Sequence, residues 1–195
     1  MAETAPRRSR ITPEREAELY GAVLDLLRET GYDALTMDAI AARTKSSKAT
    51  LYRQWGSKPE LVAKALRFNK PVSFAEIDTG TLRGDFHKMV ELGDDCEMEK
   101  DSALMRGLVH VVHDNPDLHK AMRDLMIEPE ITGLNVLLRR AVDRGEVAAD
   151  NPALEYVIHM LVGAFIARHM VEEKPMDKAF LGSYIDAVVL PALGV

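Results

Sequence analysis

Lys45, Ser46, Ser47, Lys48, Thr50 and Arg53 crowd hydrogen-bond donors into one short segment. Side chains of these types can reach base edges in the DNA major groove and the phosphates beside it. Leu51 and Trp55 lie four residues apart within the same segment, so on a helix they share one face and anchor it to a core. The polar side then has no interior to face. A protein that reads the major groove needs this kind of unit: a helix across the backbone, a tight turn, and a second helix with an exposed donor face. Residues 36 to 55 fit it. A short solvated helix with a charged surface explains the same pattern equally well.

The other candidate chemistry lies at Arg106, His110 and His113, whose spacings of four and three put them on one helix face. Two histidines so placed could hold a metal, line a pocket or face solvent. A zinc site needs three or four ligands, and nothing in the sequence brings His87, Cys96 or His119 to the pair. No Gly-rich phosphate loop, nucleophile elbow or zinc-protease helix motif occurs. We therefore expect no catalytic residues, no metal and no cofactor. A helical adaptor that binds other proteins would leave the pattern from Thr36 to Lys58 unexplained.

Helical periodicity dominates, alternating β-branched runs are missing, and Pro or Gly falls at intervals suited to helix ends, which predicts an all-α chain. Thr12-Pro13 is a cap followed by a first-turn proline, and Leu19, Val23, Leu26 and Leu27 recur on one face until Gly31. Thr36 caps a helix from Met37 to about Thr44, with Ile40 and Ala41 inward. Ser47 caps a third, from Lys48 to about Gln54. Ser57 and Glu60 have capping-box spacing and start a fourth, in which Leu61, Ala65 and Phe68 close a small core before Pro71. Beyond Gly80 the pattern predicts helices near 81–92, 102–113, 116–144, 152–172 and 178–192, with a kink or split at Pro129 and the acidic run around Asp94 in a loop.

Charge divides the chain. Residues 1–70 carry 13 Lys+Arg against 9 Asp+Glu, a net +4, whereas residues 71–195 carry 12 against 22, a net −10. A basic head thus precedes an acidic body, as expected if the head meets phosphate. The predicted division is a flexible basic arm over 1–12, which lacks the apolar segment of a secretory signal, a DNA-binding domain over 13–70 and a second domain over 71–195. With 47% hydrophobic residues there is material for a full core, and a single cysteine, Cys96, excludes an internal disulfide and gives a cytoplasmic location by default. The apolar run from Val157 to Ala167 contains His159 and falls short of the ~20 residues of a bilayer span, so no membrane partner is expected.

The segment TMDAIAARTKSSKATLYRQWGSKPELVAKAL, residues 36–66, closely resembles the helix-turn-helix of the tetracycline-repressor-like (TetR/AcrR) family of bacterial regulators, over roughly residues 14–70. The ordered series from Ile40, Ala41 and Ala42 through Ser47, Lys48, Thr50, Leu51 and Tyr52 to Gly56, Ser57, Lys58, Glu60 and Leu61 carries the resemblance. It implies a three-helix DNA-binding head with a helix-turn-helix and a C-terminal helical bundle for ligand binding and dimerisation. Thr36 would cap a helix against phosphate, Lys48 and Thr50 would lie at the groove, and Tyr52 and Lys58 would grip the backbone. Base reading would fall to Ser46, Ser47, Lys48 and Arg53. The turn departs from the family, which has Gly followed by an aliphatic residue where this chain has Lys45-Ser46. Either the turn is distorted or Lys45 adds a phosphate contact.

The implied function is a transcriptional regulator, a repressor released from a palindromic double-stranded operator by a small, mainly apolar effector. The pocket candidates are Met89, Met105, Arg106, His110, His113, Met122, Met126, Tyr156, His159 and Phe165, since methionine adapts to varied ligand shapes. Core packing explains the methionines as well. Leu161, Phe165, Tyr184 and Val188, on the two apolar C-terminal helices, are the expected homodimer interface.

Overall fold

The computed structural model describes residues 11–68 and 73–195, with residues 101, 102 and 106 described by backbone alone. Most of the basic arm and the expected boundary at Lys70 and Pro71 lie outside the described residues. Among those described there are helices and no strand.

Helix α1 (Pro13–Ala34) starts where the Thr12 hydroxyl accepts from the Arg15 amide at 3.3 Å, with Pro13 in the first turn. Gly31, at φ 75°, breaks it, and a last turn carries the buried Tyr32. α2 (Met37–Arg43) and α3 (Lys48–Trp55) follow, capped by Thr36 and Ser47, whose hydroxyls accept from Ala39 and Thr50 amides at 3.1 Å. At the head of α4 (Lys58–Phe68) the expected capping box forms in half: the Ser57 hydroxyl accepts from the Glu60 amide and donates to its carboxylate, both at 3.3 Å, while the Ser57 amide donates to the Trp55 carbonyl. Phe68 departs from expectation: it is 51% exposed, lying across the edge of Tyr20 at 5.0 Å instead of entering the core.

The body comprises α5 (Leu82–Leu92), α6 (Asp95–Asp114), α7 (Pro116–Met122), α8 (Glu128–Asp143), α9 (Val157–Glu172), α10 (Lys178–Tyr184) and α11 (Leu190–Leu193). One expectation needs correction here. Asp94 caps α6, its carboxylate accepting from the Glu97 amide at 3.0 Å, so the acidic run opens a helix that begins at Asp95 instead of filling a loop up to 102. Asp95 and Glu97 suit the positive end of the helix dipole. The segment around Pro129 is divided as expected, into α7 and α8 by the π turn Arg123–Ile127, with Pro129 in the first turn of α8.

Two apolar cores result, and their border is not the sequence boundary. The first unites α1–α4 with Leu104 and Leu108 of α6 and Leu118, Ala121 and Met122 of α7. The second joins α5, α8, α9 and the C-terminal helices around Phe86, Leu134, Leu137, Val157 and Ile185. The connection between them is stitched to α8. Arg140 donates to the carbonyl oxygens of Ala75 and Ile77 at 2.5 and 3.0 Å, and the 3-10 turn Phe74–Glu76 comes so close to Gly133 that a Cβ there would meet the Ala75 nitrogen at 3.2 Å.

Asp85, fully buried in α5, fixes the same connection. Its carboxylate accepts from the Thr79 amide at 2.6 Å and hydroxyl at 2.8 Å, and Arg144 approaches at 3.4 Å. Asp85→Ala removes all three bonds of a fully buried carboxylate while Arg144 keeps Glu146, and should cost about 3 kcal/mol. Thermal unfolding should then show Tm lower by about 6–12 °C; an unchanged Tm would contradict this account of the connection.

Candidate nucleic-acid interface

α3 is pinned from one side only. Leu51 and Trp55 are its buried residues, and the Trp55 Nε1 donates to the Tyr20 hydroxyl at 2.9 Å, which itself donates to Glu16 at 2.8 Å. The Tyr20 and Trp55 rings meet edge to face at 6.0 Å. Burial pushes the Tyr20 phenol up to about 12. With its apolar side fastened to α1, α3 turns Lys48, Tyr52 and Arg53 to solvent. Tyr52 and Arg53 have no hydrogen-bond or ion-pair partner among the described residues.

Lys48 pairs with Asp38 of α2 at 2.8 Å, and that hydrogen bond raises its pKa. Both groups are exposed, so the pair contributes little and can be exchanged for phosphate or a base. Ser47 and Thr50 bond each other through their hydroxyls at 2.8 Å while Ser47 caps α3. Thr36 is exposed at the N-terminus of α2, whose positive end suits an anion.

The turn keeps its regular form despite the absence of glycine. Lys45 adopts φ 50°, its amide donates to Ala42 at 3.3 Å, and the Ser46 amide donates to Ala41 at 3.0 Å. These two bonds are a Schellman closure, which normally takes glycine at this position. Arg15, a residue that sequence reasoning passed over, donates from α1 to the Thr44 carbonyl and reaches the Ser46 hydroxyl at 3.5 Å. Ser46, expected among the base-reading residues, is half-buried in this turn. Arg15 has no sequence signal because its main acceptor is a backbone carbonyl.

Lys58, expected at phosphate, is held within the head in this structure. Its ammonium donates to the Tyr32 and Leu35 carbonyls at 3.0 and 2.9 Å and lies 4.1 Å above the Tyr32 ring, and burial lowers its pKa. The group ties α4 to the end of α1 instead of standing free to grip phosphate.

The expected pocket residues divide between the two cores and the surface. Met122 is buried in the first core with Met105 and Met126 packed against it, while Met89 packs on the second core. His110, His113, Tyr156, His159 and Phe165 are exposed, and Arg106's side chain lies outside the described atoms. No group of three or more His, Cys, Asp or Glu among the described residues could hold a metal. Of the expected dimer residues, Leu161 is 7% exposed and belongs to the second core, whereas Phe165 and Val188 face outward and Tyr184 is half-buried against Phe180. Helix spacing fixes which residues share a face, but not what that face meets.

A non-glycine residue in the left-handed region costs roughly 1 kcal/mol. Lys45→Gly should accordingly raise Tm by about 2–4 °C. If Lys45 also meets a phosphate, the same variant binds DNA more weakly and lowers the salt slope by about one. A variant that is less stable than the parent would contradict the left-handed turn.

The sequence matches the family described as "Bacterial regulatory proteins, tetR family" over residues 20–65 and "Tetracyclin repressor-like, C-terminal domain" over residues 76–188. It is 34% identical over 180 residues to an uncharacterized HTH-type transcriptional regulator of Mycobacterium tuberculosis, covering 92% of this chain and 88% of that one. It is 31% identical over 177 residues to the DNA-binding transcriptional repressor TetR of Mycobacteroides abscessus, covering 90% and 92%. The crystal structure of the TetR family transcription regulator SCO0332 superposes with a TM-score of 0.69 at 25% identity, covering 92% of this chain and 98% of that one. With the head, its turn and the second core all matched in this way, the chain belongs to the TetR family: it is a non-enzymatic transcriptional regulator with a DNA-binding helix-turn-helix.

Proposed function

We propose that this regulator is a homodimeric repressor that reads a palindromic operator through α3 and releases it when a small, mainly apolar effector binds. Residues 13–70 act as the DNA-binding unit and 71–195 as the effector and dimer unit. The observation that carries the reading is the outward donor face of α3, with Lys48, Tyr52 and Arg53 exposed and the opposite side locked to Tyr20. Arg53 and Lys48 read bases, assisted by Ser47 and Thr50, while Tyr52, Lys45 and the Thr36 terminus meet phosphates. Repression is the activity named for the Mycobacteroides relative.

Dimerisation rests on α9. The segment Pro152–Glu172 has a mean hydropathy of 1.3, long and apolar enough by composition to cross a membrane, yet little of it is buried within the chain. Val162, Ile166 and Met170 recur every four residues with Phe165 beside them, and all are exposed. An apolar stripe of this kind on a DNA-binding regulator suits a partner copy, and one head alone reads only a short half-site. A separate cleft of about 280 Å³ lies between α9 and α10 and includes His159, Met160, Phe180 and Tyr184, none of them in this stripe.

Mobility shift on the DNA upstream of the gene tests the face. Lys48→Ala should cost about 1–3 kcal/mol and loosen preference at some bases. Asp38→Ala, which frees Lys48 and removes a negative charge, should tighten binding several-fold at low salt. If both variants bind like the parent, α3 does not present Lys48 to DNA. For the dimer, light scattering should show a two-chain species at micromolar concentration, reduced by Ile166→Glu to a folded monomer with operator affinity lost. An Ile166→Glu protein that stays dimeric would place the interface elsewhere.

A further inference from the structure

Asp38 and Lys48 stand on the two helices of the helix-turn-helix, each in the first turn of its helix and each exposed. The Lys48 Nζ donates to Oδ2 of Asp38 at 2.8 Å, which leaves Oδ1 of that carboxylate without a partner among the described residues. The next residue on each helix is an exposed alanine, Ala39 or Ala49, too short to screen the pair. An exposed ion pair of this kind adds little to stability. On a surface that meets phosphate, a carboxylate also weakens binding to every DNA sequence alike. Neither stability nor general affinity therefore accounts for Asp38, whereas an acceptor set beside a donor has a use against base edges.

In every base pair the major-groove edge carries one carbonyl oxygen and one amino group bonded to each other, O6 with N4 in G·C and O4 with N6 in A·T. Such an N–H···O bond spans about 2.9 Å. The donor Nζ and the acceptor Oδ2 are set at nearly the same separation. We propose that Lys48 and Asp38 read one base pair together, the ammonium donating to the carbonyl oxygen and the carboxylate accepting from the amino group. This rests on the reading above that α3 meets the major groove, and it adds Asp38 of α2 to the residues that set specificity. Guanine under Lys48 suits the unit best, because N7 stands beside O6 as a second acceptor, and cytosine then gives its amino group to Asp38. Thymine under Lys48 presents O4 alone. With the base pair turned round, the ammonium faces an amino group and the carboxylate faces a carbonyl oxygen, and both contacts repel. Off the operator the two side chains satisfy each other, so Lys48 must leave Asp38 before it can grip a phosphate.

The test is selection of bound duplexes by the full chain, then mobility shift on the selected operator and on its single base-pair variants, for the parent, Asp38→Asn and Lys48→Ala. Asparagine keeps the size of the side chain, but its amide also donates, so it tolerates the turned pair. The parent should prefer G·C to C·G at one position of each half-site by roughly ten- to a hundredfold, the range of one bidentate contact. Asp38→Asn should lower that preference to under about threefold at the same position that Lys48→Ala loosens, and leave the other positions as they are. Loss of a negative charge raises affinity for all sequences together, so the readout is the ratio between base pairs at one salt concentration. If Asp38→Asn changes affinity equally for every variant, or loosens a different position from Lys48→Ala, the joint reading is overturned while α3 stays in the groove. If Lys48→Ala loosens no position, the reading of α3 falls and this proposal falls with it.

Discussion

The head depends on one fastening, the hydrogen bond and edge-to-face contact between Trp55 and Tyr20. α3 has eight residues, too few to be stable as a helix alone, and its two buried side chains are a turn apart. Its rotation about its own axis is thus set by what Leu51 and Trp55 meet on α1. With the tryptophan fixed, the donor face points to solvent; without it, the same sequence is a short polar segment with no preferred direction. Tyr20 serves this purpose better than an aliphatic residue because its hydroxyl accepts the indole N–H that would otherwise be buried unbonded.

The head is not an independent body resting on a separate bundle. Leu104, Leu108, Leu118, Ala121 and Met122 lie in one apolar cluster with the buried faces of α1 and α4. Closely packed contacts of this kind transmit displacement because they have few voids to absorb it. The second core is joined to the first in two ways, by the unbroken helical run from α7 through Arg123–Ile127 into α8 and by the Arg140, Arg144 and Asp85 bonds around residues 75–85. An event at α6 or α7 therefore reaches α1 and α4 directly, whereas one at α9 reaches them through α8.

Much of this was legible in the sequence where the physics is local. Thr12, Thr36, Ser47 and Ser57 each cap the helix their spacing predicted, because capping needs only a hydroxyl three residues from an amide. Gly31 broke α1 for an equally local reason. The losses came where a side chain answers to distant backbone. Lys58 and Arg15 bind carbonyl groups, which every residue has, so no residue type marks the partner. Leu161 and Phe165 could not be sorted because α9 is apolar all round, so its sequence does not separate an inward from an outward face. The methionines share helices but divide between two cores, a matter of tertiary neighbours that periodicity does not contain.

The central claim is that a fixed polar face on α3, doubled by a two-fold axis, recognises a particular DNA sequence. Selecting bound duplexes from a random pool with the purified protein tests this most directly. The account predicts enrichment of one motif with two inverted half-sites, and loss of that enrichment when Trp55→Ala frees α3 from Tyr20. Recovery of sequences with no common motif, or a single asymmetric site, would contradict it.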